Sequence, residues 1–425
     1  MIRIFNCQEL SRGEIFAREE DDGSARETVR TILDHVKRDG DEAVRQYTQQ
    51  FDGAVPMSLE LSAGQIDEGF RDNDPQFLDI LFEAADRIVN FHKHQVRNSF
   101  LINEERGVMM GQKVLPLERV GLYVPGGTAA YPSSVLMNAI PAKLAGVKEI
   151  VMVSPPTKGK IPSAILAAAK VAGVDRVFQV GGAQAVAALA YGTQTIPKVD
   201  KIVGPGNRYV AEAKRQVYGL VDIDMIAGPS EILILADGAC NPRFVAADLL
   251  SQAEHDKNAS AVLVTDSPEL AQAVAAELEE QLVKLPRQEI ARESIDRNGK
   301  ILLVQNLEEG IDVANEIAPE HLEICVDNPF DYLDRIRNAG SIFLGNSCPE
   351  ALGDYFAGPN HTLPTSGTAR FSSPLSVDDF VKKMQYTYFT PEALQKVSRQ
   401  VTQFALREGL QAHARSVAIR EEAGK

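Results

Sequence analysis

The 425-residue sequence predicts an α/β fold with two Rossmann-like parallel sheets, and three features of the chain support this prediction. From Val120 onward, short β-branched runs alternate with alanine-rich helical segments, as expected for parallel strands joined by crossover helices. Ser24 to about Gln95 has the periodicity of amphipathic helices. After about Val377 we expect the strands to end and the chain to continue as a charged helical tail.

The predicted strands are short, apolar and mostly β-branched, and each is followed by a turn or a helical run. They are EIVMVS from Glu149, RVFQV from Arg176, KIV from Lys201, EILILA from Glu231, AVLVT from Ala261, ILLV from Ile301, HLEIC from His321 and SIFLG from Ser341. The helices expected between them include SSVLMNAIPAKLAG, SAILAAAKVAG, AQAVAALA and RYVAEAKRQV. Tight hairpins cannot join parallel strands, so crossover helices of this kind are required.

Charge and cysteine content narrow the class of protein. The net charge of -15 and the pI near 5.1 argue against nucleic-acid binding, which needs clustered Lys and Arg. Cys7, Cys240, Cys325 and Cys348 are irregularly spaced, and we expect reduced thiols. The amino-terminal segment lacks a signal-peptide pattern, and the longer uncharged stretches contain Pro and Gly. We therefore expect a cytoplasmic protein with small-molecule partners and no membrane or nucleic-acid contact.

Two glycine-rich turns follow predicted strands, QVGGAQAVAAL around Gly181 and KIVGPGNRYVAEA around Gly204. Glycine lets the backbone approach a ligand, and the next helix offers free N–H groups to a phosphate. The standard GxGxxG pattern is missing. Nucleotide binding and simple turn formation are about equally supported by these residues alone.

The segment FVAADLLSQAEHD places Gln252 and His255 three residues apart on one helix face. That spacing can present two ligands to one metal, although a glutamine carbonyl is an uncommon zinc ligand. A purely structural role is the more frequent explanation for such a pair. The pattern alone leaves both alternatives open.

Two later segments contain further groups that can transfer protons. In IAPEHLEI, Glu320 and His321 stand at the entrance of a strand, where they form either a base with a second proton acceptor or an ordinary polar strand end. A Gly- and Pro-rich segment from Leu344 holds Asp354 and His361 and is typical of a binding loop. Cys348 lies there too, but no activating charge accompanies it, so a structural role is favoured over a covalent one.

Several segments together resemble histidinol dehydrogenase from about residue 115 to 385, and LREGLQAHARSVAIR is similar to that family's C-terminal motif. The segments are ERVGLYVPGGTAAYPSSVLMNAIPA, VGGAQAVAALAYGT, VDKIVGPGNRYVAEAKRQV, AGPSEILILAD, DLLSQAEHD, IAPEHLEI and GDYFAGPNHTLPTSGTARFSSPLSVDDF. The resemblance implies oxidation of L-histidinol through L-histidinal to L-histidine, with two NAD+ and one zinc ion per site. It also implies a homodimer in which the C-terminal tail completes the neighbour's site.

The resemblance assigns a role to particular residues of this chain. The implied zinc ligands are Gln252, His255, Asp354 and His413, and the implied catalytic residues are His321 as base and Glu320 as water activator. Substrate contacts would come from Ser230, His361 and Glu408 together with the zinc ligands and His321. The implied NAD contacts are Tyr123, Gln184 and Asn207.

We expect four parts in the chain. These are an N-terminal extension (1–24), a first α/β domain with the metal and catalytic site (25–122 and 235–376), a second Rossmann-like domain on the nucleotide side (123–234), and the C-terminal helical tail (377–425). Three alternatives remain beside the expected activity. They are a sibling dehydrogenase with another small hydroxylated substrate, a metal- and nucleotide-binding protein without catalysis, and an enzyme with a covalent role for Cys348.

Overall fold

The computed structural model of the chain describes residues 2–15, 23–53, 55–126, 130–157 and 159–423. Residues 16–22 of the predicted N-terminal extension are outside the described residues. The strands are β1 Arg3–Asn6, β2 Phe100–Ile102, β3 Val108–Pro116, β4 Arg119–Tyr123, β5 Glu149–Val153, β6 Arg176–Phe178, β7 Lys201–Val203, β8 Asp222–Ile223, β9 Glu231–Ala236, β10 Ser260–Thr265, β11 Lys300–Leu303, β12 His321–Cys325, β13 Ser341–Leu344 and β14 Val381–Phe389.

The α-helices begin and end as follows. They are α1 Arg12–Ile15, α2 Arg26–Asp39, α3 Asp41–Asp52, α4 Ala63–Arg71, α5 Pro75–His92, α6 Pro132–Ala145, α7 Ser163–Val171, α8 Gly182–Tyr191, α9 Arg208–Val217, α10 Pro242–Ala253, α11 Pro268–Leu282, α12 Gln288–Arg297, α13 Leu307–Ile317, α14 Phe330–Leu333, α15 Ala351–Tyr355, α16 Pro391–Arg407 and α17 Gln411–Ala423. Every strand predicted from the sequence is present, so the α/β prediction is confirmed. None of the described helices combines the length and the apolar character that crossing a bilayer requires.

Two parallel sheets form the centre of the larger compact unit, which consists of Met1–Gln95 and Leu117–Phe380. The six-stranded sheet has the order β1-β11-β10-β9-β12-β13, and the five-stranded sheet has the order β6-β5-β4-β7-β8. In the five-stranded sheet the chain starts at β4, moves outward to β6, and then returns to β7 on the other side of β4. The neighbouring carboxyl ends of β4 and β7 therefore form a topological switch point, where ligands of α/β proteins commonly bind.

The N-terminal helices pack on the helices that flank the five-stranded sheet, α2 on α8 and α9 and α5 on α6 and α7. Val29 and Leu33 of α2 are buried in one cluster with Val151 and Val153 of β5, while Ile88 of α5 is buried in the cluster on the opposite face. The division expected from the sequence, which assigns these helices to the domain with the metal site, stays a prediction.

The smaller unit consists of Val96–Pro116 and Val381–Lys425. The nine-residue strand β14 pairs with β3 in an antiparallel sheet, and β2 pairs with the other edge of β3. The expectation that no strand follows Val377 is therefore wrong for Val381–Phe389. In the described part of the predicted tail, a short 3-10 helix (Val377–Phe380) precedes β14, and α16 and α17 are the α-helices; β14 finds its partner about 270 residues earlier in the chain.

Candidate active site

The candidate catalytic residues lie at the amino ends of strands in the six-stranded sheet. His321 is the first residue of β12, and it pairs in register with Ile232 near the start of β9. Helix α13 ends at Ile317, and the left-handed backbone of the next residue, Ala318 (φ 51°), turns the chain sharply before Pro319. Glu320 and His321 thus enter the strand with both side chains buried.

Both side chains bind the backbone of Glu231. The N–H of Glu231 donates to Glu320 Oε2 at 2.9 Å, and His321 Nδ1 lies 3.0 Å from the carbonyl oxygen of Glu231. Because a carbonyl can only accept, Nδ1 carries the hydrogen and Nε2 of a neutral imidazole is left as an acceptor. His321 is therefore held as the tautomer that can take a proton at Nε2.

Burial disfavours the charged forms of His321 and Glu320, and it shifts their pKa values in opposite directions. Desolvation lowers the pKa of His321 to about 4, in spite of the opposing effect of Asp354. Desolvation also raises the pKa of Glu320 well above its ordinary value, against the hydrogen bond from Glu231. A neutral imidazole at pH 7 is consequently available as a base.

Glu350 and Asp354 bring two carboxyl groups to the same place. One ligand atom each from His321, Glu350 and Asp354 lie within 4.8 Å of one another, a spacing that could hold a metal ion. His321 Nε2 is 3.8 Å from Glu350 Oε1. The hydroxyl of Ser251 donates to the other oxygen of Glu350 at 2.9 Å, and the N–H of Glu350 donates to Glu323 Oε1 at 2.7 Å.

The C-terminal end of α10 supplies the predicted pair Gln252 and His255. Gln252 is in the last turn and almost fully buried, and His255 follows in the turn after the helix. Since α10 runs back from the carboxyl end of β9, its end reaches the amino ends of the strands, near His321. The charge of His255 is one of the smaller effects that lower the pKa of His321.

Two buried oxygens in this cluster accept no hydrogen bond from the part of the chain that the structure describes, Gln252 Oε1 and Glu350 Oε1. Leaving a buried acceptor unsatisfied is costly, and buried charges are normally paired or coordinate a metal. Imidazole nitrogen and carboxylate oxygen are ordinary zinc ligands. The donor set at this position therefore fits a divalent metal such as zinc.

His361 bridges the carboxylate cluster and helix α6. Its Nδ1 lies 3.0 Å from the carbonyl oxygen of Asp354 and 3.4 Å from Asp354 Oδ1, and its Nε2 lies 3.3 Å from the hydroxyl of Ser134. Burial alone would raise the pKa of Asp354, but the hydrogen bond and charge of His361 outweigh it and lower that pKa. Asp354 is thereby kept as a carboxylate.

Some predicted residues are not part of this cluster. Glu408 and His413 belong to the smaller unit and are exposed, with His413 on α17. Ser230 lies directly before β9, where its carbonyl accepts the N–H of Ser260. Cys348 is half-buried with a free thiol. Sequence reasoning missed Glu350, although it lies four residues before Asp354, because nothing in SCPEALGD indicates burial.

The predicted nucleotide contacts lie at the carboxyl ends of strands in the five-stranded sheet. Tyr123 ends β4, and its hydroxyl accepts the N–H of Gly182 at 2.9 Å, while burial raises its pKa to about 12. Gln184 in the first turn of α8 is buried, and its Oε1 accepts no bond from the described residues. Asn207 caps α9 by accepting the N–H groups of Tyr209 and Val210. Tyr123 and Asn207 flank the switch point.

A family model described as histidinol dehydrogenase matches residues 16–421. The chain belongs to the histidinol dehydrogenase family. A histidinol dehydrogenase of Bacillus cereus is 57% identical over 398 residues, which cover 94% of this chain and 93% of that protein. One of Streptococcus mutans is 56% identical over 395 residues, with 93% and 92% covered.

A solved structure agrees with the family assignment. The crystal structure of histidinol dehydrogenase from Elizabethkingia anophelis matches with a TM-score of 0.93 at 37% identity, and the match covers 99% of this chain and 98% of that one. Similarity over the whole length confirms the resemblance seen in the sequence motifs. As a member of this family, the chain is an oxidoreductase.

Proposed function

We propose that the chain oxidises L-histidinol through L-histidinal to L-histidine, with transfer of two hydrides to two NAD+, in the last steps of histidine biosynthesis. The observation that carries the proposal is His321, a buried neutral imidazole with Nδ1 on the Glu231 carbonyl and Nε2 turned to the carboxylate cluster. Family membership supplies the substrate and the nucleotide. The α/β fold class alone would identify neither of them, because unrelated activities share one fold.

Gln252, His255 and Asp354 of one chain, with His413, would hold one zinc ion per site. The unsatisfied Oε1 of Gln252 and the ionised Asp354 support this assignment. When bound, zinc would orient the substrate and polarise its oxygen. Glu350 would lie beside these ligands and hold the end of α10 through Ser251.

His321 would act as the base in the first oxidation. Its Nε2 would take the proton of the alcohol, and bound NAD+ would supply the acceptor for the hydride that leaves the substrate carbon. The carbonyl of Glu231 fixes the ring and stabilises the imidazolium that forms. The proton leaves before the second oxidation, because burial strongly disfavours the charged imidazole.

Glu320 would activate water for the second oxidation. As a carboxylate it would remove a proton from water while the water oxygen bonds to the aldehyde carbon of L-histidinal, and the proton held by His321 would pass to the carbonyl oxygen to give the hydrate. The hydrate then loses a second hydride to a second NAD+, and His321 again accepts the hydroxyl proton. Burial raises the pKa of Glu320, so its carboxylate is a stronger base than an exposed one.

NAD would bind at the switch point against Tyr123, Gln184 and Asn207. The free Oε1 of Gln184 and the glycine-lined turns support this position. Ser230, His361 and Glu408 would contact the substrate. Both ring nitrogens of His361 already have partners, so its contact would need a rearrangement or would act through Asp354.

We also propose a homodimer whose smaller unit completes the neighbour's site through Glu408 and His413. Large apolar side chains are exposed on this unit, as expected for a surface that is covered in an assembly. They include Phe100, Leu101, Met384, Tyr388, Phe404 and Leu410. The free thiols fit the cytoplasm, where we expect the enzyme to act.

Complementation between two inactive variants tests the shared site. His413→Asn should lose zinc and activity, and His321→Ala should lose activity only. After subunits are exchanged, each mixed dimer would hold one intact site, so about one quarter of wild-type activity should return at equal mixing. No recovery, with subunit exchange verified by mass, would contradict sharing.

Assays on the wild-type chain separate the alternatives. L-Histidinol should give two NADH for each L-histidine formed, whereas turnover of another alcohol alone would indicate a sibling dehydrogenase. Zinc and NAD binding without turnover would indicate a binding protein. Full aldehyde oxidation by Cys348→Ala would exclude a covalent role for that thiol.

A further inference from the structure

A fully buried ion pair lies beneath the second glycine turn. Lys214, in the last turn of α9, contacts Asp224, which follows β8, and their side chains are only 2% and 1% exposed. Lysine and aspartate are almost never buried to this extent unless they are paired. A buried ion pair seldom stabilises a protein more than apolar side chains of the same volume would. Stability alone therefore does not explain why this pair is present.

The remaining hydrogen bonds of the pair hold the backbone of Gly204. Lys214 Nζ donates to the carbonyl of Gly204 at 2.9 Å, and Asp224 Oδ2 accepts its N–H at 2.7 Å. Asp224 Oδ1 also accepts the N–H of Met225 at 2.6 Å. Both polar groups of one peptide residue are thus fixed by two opposite charges.

Gly204 sets the distance between two elements of the proposed nucleotide site. Its backbone has φ +111°, and a Cβ at this position would overlap the carbonyl oxygen of Tyr123. Three residues later, Asn207 caps α9. The turn therefore joins Tyr123 on β4 to Asn207 on α9, on the two sides of the switch point.

We propose that Lys214 and Asp224 are positioning residues for NAD, which hold the Gly204 turn in the conformation that the nucleotide needs. This inference rests on the proposed function, because it assumes that NAD binds at this switch point. Neither charged group needs to touch the nucleotide. Loss of the pair lets the turn relax, and a displacement near 1 Å of Tyr123 relative to Asn207 weakens binding strongly.

The test compares two buried lysines, Lys214 on α9 and Lys201 on β7, each of which pairs with an aspartate in or next to β8. The double variant Lys214→Met/Asp224→Asn removes both charges and keeps an amide oxygen for the N–H of Gly204. The matched control is Lys201→Met/Asp222→Asn. Lys201 is 5% exposed and lies 3.0 Å from Asp222 and 3.5 Å from Asp379, at the opposite end of β7 from Gly204.

Direct titration of NAD+ onto the zinc-loaded proteins is the readout, with steady-state kinetics beside it. We expect the Kd and KM for NAD+ to rise about 10- to 100-fold in the Lys214/Asp224 variant and less than about two-fold in the control. The zinc content, the KM for histidinol and kcat at saturating NAD+ should be unchanged in both. If the double variant does not fold, Lys214→Met alone, in which Asp224 keeps the N–H groups of Gly204 and Met225, should still raise the Kd for NAD+ several-fold.

Two outcomes would overturn the inference. One is wild-type affinity for NAD+ in a folded Lys214/Asp224 variant, and the other is an equal loss of affinity in the control, which would indicate a general stability effect. Failure of the proposed function is recognised separately, because the wild-type chain in the same series would then not reduce NAD+ with histidinol.

Discussion

Replacement of Gln252 by methionine should make the metal-free protein more stable and abolish its zinc site. Gln252 is 1% exposed, and its Oε1 accepts no bond from the described residues. A buried unsatisfied acceptor costs about 1–3 kcal/mol. Methionine has a similar length and lacks this oxygen, so the cost disappears.

Loss of the side-chain amide of Gln252 offsets part of that gain in stability. The side-chain amide of Gln252 also interacts with Glu350, and a neutral hydrogen bond contributes about 0.5–1.5 kcal/mol. The net expectation for Gln252→Met is a free energy of unfolding about 1 kcal/mol higher than wild type without metal. Zinc at about 100 times its Kd should stabilise the wild type by about 2.7 kcal/mol and the variant hardly at all.

Urea unfolding with chelator and with added zinc measures both effects, and metal analysis gives the zinc content directly. Gln179→Met is the matched control, because Gln179 is also buried but its amide donates to the carbonyl of Ser58 at 3.3 Å. That control should lose stability with or without zinc. The reasoning is refuted if metal-free Gln252→Met is less stable than wild type, or if it still binds zinc as the wild type does.

Two further predictions concern the five-stranded sheet and the helix that precedes it. Gly204→Ala should cost about 2–5 kcal/mol of unfolding free energy, from a left-handed backbone (about 1–2) and from overlap with Tyr123 (about 1–3). Gly219→Ala, with φ +95° and nothing within 4 Å, should cost only the first part in the same urea titration, and equal losses would contradict the overlap. The fully buried His92 has a pKa lowered by desolvation, so below pH 6.5 the unfolded chain binds a proton that the folded chain refuses, and stability falls as the pH falls. His92→Gln should remove up to about 1.4 kcal/mol per pH unit of that decline, and equal slopes of stability between pH 7.5 and 5.5 for both proteins would disprove it.

The sequence predicted the parallel sheets because their strands are buried on both faces. In the strand Glu231–Ala236, every residue after Glu231 is apolar and all six are buried, and this signal is local. Strand β14 lacks a continuous apolar run, because most of its residues are exposed and only Met384, Tyr386 and Tyr388 alternate with polar side chains. Its pairing with β3 is a long-range contact that local periodicity cannot indicate.

Site residues could be predicted where two side chains with metal-binding or proton-transfer groups lie close together in one segment of the sequence. Gln252 with His255, and Glu320 with His321, stand out for this reason. Glu350 does not, because its burial depends on Ser251 and Glu323 from distant elements. Likewise, nothing in the sequence around Lys214 indicates its pairing with Asp224, which only the tertiary fold creates.

The pairing of β1 with β11 has a consequence for synthesis of the chain. Arg3 is in register with Lys300, whereas β4 to β8 occupy the continuous stretch 119–223. At about 5–20 residues per second, a ribosome needs roughly 15–60 s to make the 300 residues that separate the first strand from its partner. The five-stranded sheet can therefore form on the ribosome while the nascent N-terminal strand is still unpaired. During that interval β1 presents an open edge to other chains, so early binding by a chaperone would protect newly made protein from aggregation.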